Sequence, residues 1–315
     1  MPKVSVIIPV YGVEKYIERC ARSLMEQTLD DLEFIFVDDC TKDASIDILK
    51  RVVADYPNRT DQVKIIHHDE NMGLPQARRT GVLASTGDFI AHCDSDDWME
   101  QDAYELLYHK AVETQADMIF FDYTRTDGIS YEDHLSNIEG ISRDQLIAKM
   151  IAGQVLYGVV FHLDARHLYT DDGFEWPKYN NAEDLLFTIQ LLCRVTSFSK
   201  INKVLYNYFY NPNSLTKSSE NEEKNAQIIH NIESLMSVIQ KSSLSMKELY
   251  ILLCKMRIKQ RYIHRTSSKE GYRLWRNTYP EVGLSVIFNI NVPIIMRIRY
   301  FLGYMRLYSC VKRFI

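Results

Sequence analysis

The feature that most constrains the fold is an alternation of strand and helix signals over the first hundred residues. Four short runs are nearly continuous in apolar character, as strands covered on both faces of a parallel sheet are. They occupy residues 3–10, 32–39, 63–68 and 88–94. Apolar side chains at helical spacing fill the gaps between them. This regular alternation of strands and helices predicts a doubly wound α/β fold with a Rossmann-like, mostly parallel sheet and helices on both faces.

Polar clusters follow three of these strands where each one ends. The sequences are "PVYG" after the first strand, "VDDC" after the second and "CDSDD" after the fourth. In open α/β sheets, ligands bind beyond the carboxyl ends of the strands. We therefore expect the three clusters to converge on one edge of the sheet and to form a ligand site there.

The cluster at Asp94, Asp96 and Asp97 brings like charges together. Carboxylates this close raise one another's pKa unless a cation, hydrogen-bond donors or water relieve the repulsion. Asp94 and Asp96 point to the same side of an extended chain, because side chains alternate with period two. Hard oxygen ligands suit Mg²⁺ or Mn²⁺, and Mg²⁺ keeps several waters and shares a substrate phosphate. The alternative is an acidic turn that caps the following helix.

The second cluster contains Asp38 and Asp39. An acid at this place could accept a hydrogen bond from a base N–H or a ribose hydroxyl, as in dinucleotide-binding folds. Helix capping by Asp39, Thr41 or Asp43 is an equally good interpretation. Further on, Arg78 lies on a predicted helix and could clamp a diphosphate through its planar fork, although an isolated surface arginine is more often simply solvated.

The signals change after the first hundred residues. Ser142 and Gln145 predict a capping box that opens a helix through Ile151. Other predicted elements are a helix near 101–115, a strand over 117–124 and a helix over 182–195. The most polar connector, residues 211–224, marks the predicted boundary before a helical tail. We expect a catalytic domain over 1–217, with a nucleotide-binding half (1–100) and an acceptor half (101–217), and a helical basic C-terminal region over 218–315.

Charge is unevenly distributed along the chain. From Tyr250 onward there are 13 Lys and Arg against two acidic residues, a balance of +11, whereas residues 1–249 carry 24 basic and 40 acidic residues, a balance of -16. The longest uncharged stretch, 282–296, is shorter than the roughly 20 residues that a spanning helix needs. Six scattered cysteines without a C-x-x-C pair are typical of reduced thiols. These features, with an apolar N-terminal run too short for a signal peptide, predict a cytoplasmic protein.

Four stretches in close order carry a family resemblance: "VSVIIPVYGVEKYIERCARSLMEQT", "FVDDCTKDAS", "NMGLPQARRTG" and "DFIAHCDSDD". Together they resemble family 2 glycosyltransferases of the GT-A fold, which are inverting enzymes that use nucleotide sugars. The stretch "NNAEDLLF" (180–187) is similar to the acidic pair that holds the general base of that family. The resemblance is close over residues 3–100, and it implies a GT-A domain here.

The resemblance also implies roles for individual residues. Pro9, Tyr11 and Asp39 would surround the uridine, with Asp38 beside them. Arg78 would reach the diphosphate, and Asp94, next to Ser95, would bind the ribose. Asp96, with Asp97 beside it, would hold the Mn²⁺ or Mg²⁺ that bridges the phosphates. Asp184 would be the base, with Glu183 as the close competitor; the alternative for this pair is helix N-terminal acids that complement the macrodipole.

The chain also departs from the family's pattern. Cys40 stands where relatives commonly have glycine, so we expect no positive φ at that turn. Ala182 replaces a frequent small polar residue or glycine. The stretch "VVFHLD" leaves His162 and no lysine, and we expect this histidine to be packed rather than catalytic. A Tyr-rich segment (205–216) carries Phe209 and Asn211 in the predicted acceptor half.

These features predict an enzyme that transfers a sugar from a UDP-sugar to a glycan acceptor, with inversion and with a metal ion. The expected acceptor is a lipid-linked oligosaccharide, and the expected pathway is the assembly of a cell-surface polysaccharide. No Gln-x-x-Arg-Trp sequence follows the acidic pair, so we expect a hexosyltransferase that is not processive. The alternative is a catalytically silent nucleotide-sugar-binding partner of the same fold. Retention of Asp96, Glu183 and Asp184 favours the enzyme.

The basic tail predicts a second partner, the anionic inner face of the cell membrane, which would make the protein peripheral on it. The alternative is a basic helical cap packed on the catalytic domain, and no motif supports nucleic-acid binding. Apolar side chains at helical spacing alternate here with basic ones that could contact headgroups: Ile294, Ile298, Phe301, Leu302 and Met305, with Arg297, Arg299 and Arg306.

Overall fold

A computed structural model of the chain describes residues 1–170, 173–211 and 222–311. The strands are β1 Val4–Val10, β2 Leu32–Asp38, β3 Val63–His67, β4 Phe89–His92, β5 Trp98–Met99, β6 Met118–Thr126, β7 Tyr131–His134, β8 His162–Ala165 and β9 Phe198–Phe209. The helices up to the end of the sheet are α1 Ile17–Met25, α2 Ser45–Ala54, α3 Leu74–Ala84, α4 Ala103–Thr114, α5 Arg143–Ile151 and α6 Glu183–Leu192. The later helices are α7 Glu222–Lys241, α8 Lys247–Gln260, α9 Lys269–Asn277, α10 Ser285–Phe288, α11 Ile294–Tyr304 and α12 Tyr308–Val311.

The chain divides into two compact units. The first holds the described residues of 1–140 and 157–219, and the second holds those of 141–156 and 220–315. The predicted boundary between 217 and 218 lies outside the described residues. Helix α5 was predicted in the acceptor half, but it belongs to the second unit because it packs against α8.

The sheet of the first unit runs in the order β3-β2-β1-β4-β8-β6-β9-β5, with β7 paired to β6. Its first four strands are parallel, and every residue of β1 and β2 is buried, as their apolar runs predicted. Strand β8 is antiparallel to both β4 and β6, and β9 returns to parallel pairing with β6. The fold is therefore the predicted GT-A arrangement, with a parallel first half and a mixed second half.

Close packing of α3 on the sheet fixes the edge where the polar clusters meet. A Cβ on Gly81 would overlap the side chain of Ile7 in β1, so only glycine permits this approach. Because β1 pairs with both β2 and β4, the carboxyl ends of the three strands are neighbours. The loops that begin at Tyr11, Asp39 and Cys93 consequently leave the sheet at one edge.

The second unit is helical and has its own core. Trp275, Tyr250 and Tyr300 are fully buried in it. The capping box predicted for α5 is confirmed: the Gln145 backbone N–H donates to Ser142 Oγ at 3.2 Å, and the Ser142 N–H donates to Gln145 Oε1 at 2.9 Å. Within the described ranges, no helix combines the length and the apolar character needed to cross a lipid bilayer.

Candidate nucleotide-sugar site

A pocket of about 560 Å³ opens at the sheet edge where β1, β2 and β4 end. Its wall combines the loop after β1, the start of α3 and the acidic loop after β4. Six of the residues predicted from the sequence line it: Pro9, Tyr11, Asp39, Asp94, Ser95 and Asp96. The predicted convergence of the three clusters is thus what the structure shows for these positions.

Asp39 lines the pocket and also fixes the loop before α3 by hydrogen bonds. Its carboxylate accepts the backbone N–H groups of Met72 and Gly73, each at 2.8 Å, and His68 Nδ1 lies 2.8 Å from Oδ1. The alternative that Asp39 caps the following helix, α2, is not what the structure shows, because the carboxylate binds the loop that leads into α3. A carboxylate has about four lone-pair sites, so these bonds leave room for a further donor from a ligand.

Asp38 lies behind the pocket wall and does not line it. Its Oδ1 accepts the Thr41 N–H at 2.8 Å, and its Oδ2 is 2.8 Å from His67 Nδ1. These two contacts hold the turn that follows β2, and the place of Asp38 beside the uridine stays a prediction. Asp43 begins α2 by accepting the Ser45 N–H at 3.1 Å.

The same turn contradicts one expectation from the sequence. Cys40 has φ +59°, in the left-handed region that favours glycine, although a positive φ was not expected there. The hydrogen bonds on either side determine the turn: the Asp39 N–H donates to the Val10 carbonyl at 3.0 Å, and Asp38 accepts from Thr41. This conformation costs a residue with a Cβ about 1–2 kcal/mol.

We therefore expect Cys40→Gly to raise the free energy of unfolding by about 1 kcal/mol, since glycine adopts this φ without the steric penalty but loses more chain entropy on folding. Urea unfolding of the full chain measures the change. Cys40→Ala is the matched control, because it removes the thiol and keeps the Cβ. An equal gain in both variants would assign the effect to the thiol and contradict the backbone argument.

Asp97 is a buried support of the acidic loop. The Tyr206 hydroxyl donates to its Oδ2 at 2.6 Å, and the Phe209 backbone N–H donates to its Oδ1 at 2.7 Å. Burial raises the pKa of Asp97 well above its usual range, and the charges of Asp96 and Asp94 add to the rise. This side chain is 1% exposed and does not line the pocket. The predicted role of Asp97 as a metal ligand is corrected accordingly.

Asp96 faces the pocket and is partnered by an amide. Asn211 Nδ2 donates to Asp96 Oδ2 at 3.0 Å. Burial raises the pKa of Asp96, with the charge of Asp94 as the next cause. An amide donor supplies only a partial positive charge, so the carboxylate would gain more from a cation at this place.

Arg19 fixes the backbone next to this carboxylate. Its guanidinium lies between the rings of Trp98 and Phe209, 3.7 and 4.5 Å from their centroids. From there Nη2 donates to the Asp96 carbonyl oxygen at 2.9 Å. Stacking and a charge-assisted hydrogen bond thus hold the loop that presents Asp96.

The described residues contain no group of three or more His, Cys, Asp or Glu side chains arranged to hold a metal ion. Asp94 and Asp96 nevertheless bring hard carboxylate oxygens to one pocket. These donors fit Mg²⁺ or Mn²⁺ when phosphate and water complete the coordination.

Arg78 occupies a different place from the predicted one. Its side chain is 2% exposed, and Nη2 donates to Asp94 Oδ1 at 2.9 Å. Nη1 donates to Asp184 Oδ1 at 3.0 Å and is 3.5 Å from Glu183 Oε1. Burial disfavours the charged guanidinium, but the three carboxylates outweigh that effect and the pKa of Arg78 is raised. Arg78 is thus a buried counter-ion rather than a side chain directed at a diphosphate, which corrects the prediction.

Glu183 and Asp184 form the first turn of α6 and differ in accessibility. Their side chains are 9% and 32% exposed, respectively. Burial raises the pKa of Asp184, against the opposing charge of Arg78. Burial also raises the pKa of Glu183 well above its usual range, with Asp184 as the next cause. Ala182, at φ +61°, turns the chain into α6 in a conformation that glycine adopts more readily.

His162 is packed, as expected from the sequence. It is 1% exposed, and Nδ1 lies 2.8 Å from Asp164 Oδ1 while Nε2 lies 3.1 Å from Thr188 Oγ1. The Tyr169 hydroxyl donates to Asp164 Oδ2 at 2.6 Å, which completes a buried polar network. The two ring nitrogens of His162 are thus directed at buried partners rather than at the pocket.

Three amides line the pocket, Asn71, Asn180 and Asn211, and none of them was assigned a site role from the sequence. Two of the three have notable contacts. Asn180 Oδ1 accepts the Leu74 N–H at the start of α3, at 3.1 Å, and Asn211 contacts Asp96. Both lie in stretches noted for their family resemblance, Asn180 beside the acidic pair and Asn211 in the Tyr-rich segment. Their position next to polar clusters is the only sequence signal, and it does not say which cluster they meet. The rest of that segment, 212–216, lies outside the described residues.

A model of the glycosyl transferase family 2 matches residues 5–163, half of the chain. The chain belongs to this family. An uncharacterized glycosyltransferase of Bacillus subtilis, EpsJ, is 30% identical over 226 residues, which are 69% of this chain and 64% of that protein. This chain therefore aligns with less than two thirds of the length of that relative.

Two solved structures of low sequence identity share the fold. TarS of S. aureus, residues 1–349 in complex with UDP-GlcNAc, has a TM-score of 0.75 at 17% identity, with 99% of this chain and 91% of that chain covered. A mannosyltransferase from Pyrobaculum calidifontis in complex with GDP-Man and Mn²⁺ has a TM-score of 0.54 at 13% identity, with 97% and 87% covered. At these identities the likeness shows the GT-A fold.

Proposed function

We propose that this glycosyltransferase moves one hexose at a time from a UDP-sugar to a glycan acceptor, with inversion and with a divalent cation. The observation that carries the proposal is the guanidinium of Arg78, which contacts Asp94 on the pocket side and Asp184 on the other. One buried cation thus ties a nucleotide-binding carboxylate to a candidate base. The UDP-GlcNAc complex of TarS and the Mn²⁺ complex of the mannosyltransferase support the choice of donor and cation by likeness of fold.

The pocket residues divide the donor between them in this proposal. Tyr11, 55% exposed at the mouth, packs on the uracil, and Asp39 accepts from its ring N–H. Asp94 accepts from the ribose. Asp96 holds the cation, which when bound supplies positive charge to the leaving diphosphate. Arg19 and Asn211 keep Asp96 in place for that contact.

Asp184 is the general base in this proposal. Inversion by direct attack needs a base opposite the leaving group that takes the proton of the acceptor hydroxyl. Asp184 is more exposed than Glu183, so an acceptor can approach it. Arg78 keeps the Asp184 carboxylate oriented through the bond at 3.0 Å.

We place the reaction in the assembly of a cell-surface polysaccharide, with an acceptor oligosaccharide carried on a lipid. The support is the exposed surface of the second unit, which carries apolar side chains such as Phe288 and Ile290 and basic ones such as Arg273. Transfer of one sugar per encounter agrees with the missing Gln-x-x-Arg-Trp sequence.

Donor hydrolysis tests the proposal directly. We expect the full chain to release nucleoside diphosphate slowly from one member of a panel of UDP- and GDP-sugars, and only with Mn²⁺ or Mg²⁺. Coupled detection of released UDP or GDP measures the rate, and the responding donor names the sugar. Asp47→Asn, an exposed substitution on α2 of the same unit, serves as the control and should match the parent. Tight donor binding without hydrolysis or transfer in any condition would favour the catalytically silent binding partner.

A further inference from the structure

Helix α11 carries apolar side chains on two faces. Met296, Tyr300 and Gly303 are buried and face the core, where the Trp275 ring centroid is 5.7 Å from that of Tyr300. The other face of α11 is exposed, and so are two apolar side chains that precede it, Phe288 at the end of α10 and Ile290 in the following loop. This apolar ridge consists of Phe288, Ile290, Ile294, Ile298 and Phe301, which are 78%, 85%, 62%, 41% and 49% exposed. Five large apolar side chains exposed within 14 residues of sequence favour an interaction surface.

Helix α9 places cations on the same helical unit. It packs on α11 through Trp275, whose ring centroid is 4.9 Å from that of Tyr304. Its exposed face carries Lys269, Arg273 and Arg276 at intervals of four and three residues, which is one side of a helix. The unit thus presents a basic face and an apolar ridge on two helices that are packed together.

Two arginines predicted to contact headgroups have other partners. Arg297 Nε donates to the Ile287 carbonyl at 2.6 Å, which ties α11 to α10. Arg306 Nε donates to the Thr266 carbonyl at 3.2 Å, and its Nη2 donates to the Ser267 carbonyl at 3.3 Å. The guanidinium groups of Arg297 and Arg306 are therefore held against the protein, and α9 adds three exposed cations, Lys269, Arg273 and Arg276.

We propose that the apolar ridge and the basic face of α9 bind a lipid bilayer rich in anionic headgroups, the inner face of the cell membrane. Apolar side chains enter the boundary between headgroups and acyl chains, and cations gain about 1 kcal/mol each near an anionic surface. A second copy of the chain fits this surface less well. It would oppose two segments that each carry 13 basic and two acidic residues from Tyr250 onward.

Vesicle flotation of the full chain tests the proposal. We expect the protein to float with vesicles that contain phosphatidylglycerol, and to remain below with vesicles of phosphatidylcholine alone. Raising the ionic strength to 1 M should weaken flotation, because the Debye length falls to about 3 Å. Equal flotation with both lipids, or none with either, would overturn the proposal.

Two pairs of variants assign the contact to the surface. Lys269→Gln with Arg273→Gln should lower the partition coefficient about 30-fold, by the loss of two cations at about 1 kcal/mol each. Lys50→Gln with Arg51→Gln removes two exposed cations of the first unit and should leave it unchanged. Phe288→Ser with Ile290→Ser should lower it about tenfold or more.

The matched control for the apolar pair is Ile129→Ser with Leu135→Ser, which are 89% and 70% exposed in the first unit. Equal losses in both apolar pairs would overturn the assignment. If light scattering showed a dimer of the parent that the variant with both Phe288→Ser and Ile290→Ser does not form, a second copy would cover the ridge. That result would also overturn the membrane proposal. Asp96→Ala should float like the parent, so a failure of the proposed catalysis leaves this test intact.

Discussion

Asp96→Ala is expected to abolish the cation-dependent part of UDP binding and to lower transfer about 100-fold or more, while the protein stays folded. Asp96 faces the pocket. Without its carboxylate, Asp94 is the one carboxylate of the acidic loop that still lines the pocket, and Asp94 is already bonded to Arg78. A cation next to a diphosphate contributes several kcal/mol to charge stabilisation, which corresponds to that factor. Calorimetric titration of UDP with and without Mn²⁺ measures the change.

A substitution at the neighbouring carboxylate separates the two roles. Asp97→Asn should lower the thermal midpoint and leave the Mn²⁺ dependence of UDP binding intact, because Asp97 accepts from Tyr206 and Phe209 in the interior. An amide at this place keeps one acceptor oxygen and turns a donor toward the other partner. If Asp96→Ala retained Mn²⁺-stimulated binding and Asp97→Asn lost it, the assignment of the cation ligand would be reversed.

The parallel half of the sheet was predictable because its signals are local. Strands buried on both faces must be apolar throughout, and the fully buried runs of β1 and β2 show this directly. The mixed half was not predictable in the same way. Strand β8 pairs with β4 and β6 in opposite direction, and β9 joins β6 across about 80 residues of sequence. Nothing local in a four-residue strand such as β8 specifies those partners.

The site shows the same division between local and distant causes. Asp39, Asp94 and Asp96 line the pocket, as predicted, because each lies in the loop that follows a strand. The surroundings of Arg78 and Asp97 depend on residues far along the chain, Glu183 and Asp184 in one case and Tyr206 in the other. Residue type alone does not distinguish an arginine that contacts a ligand from one that neutralises buried carboxylates. Only the fold brings those partners together.

Asp184→Asn should spare donor binding and lower transfer by about 10²–10⁴-fold, the usual contribution of a general base. The amide keeps an oxygen that can accept from Arg78, so the pocket side of the site should be undisturbed. Initial rates of transfer, with UDP affinity measured in parallel, separate the two effects. A matching loss of UDP affinity would contradict a role confined to the acceptor.

Glu183→Gln is the matched control for this assignment. Glu183 is the less exposed of the pair, and its Oε1 is 3.5 Å from Arg78 Nη1. We expect a loss of stability there and a smaller loss of rate. If Glu183→Gln lost transfer while Asp184→Asn kept it, the two roles would be exchanged.

The pH profile gives an independent measurement of the base. A base must be deprotonated to act, and burial raises the pKa of Asp184 while Arg78 opposes the rise. Lowering the pH should therefore reduce the rate as Asp184 becomes protonated. This fall should occur at a higher pH than for an ordinary aspartate, whose pKa is about 3.9. The contribution of Asp184 to this acid limb should be absent from the residual activity of Asp184→Asn, because the amide has no proton to gain in that range. Asp96 and Glu183, whose pKa values are also raised, still titrate in the variant, so the limb should change in position and steepness. An unchanged limb in the variant would assign the titration, and with it the proton transfer, to another group.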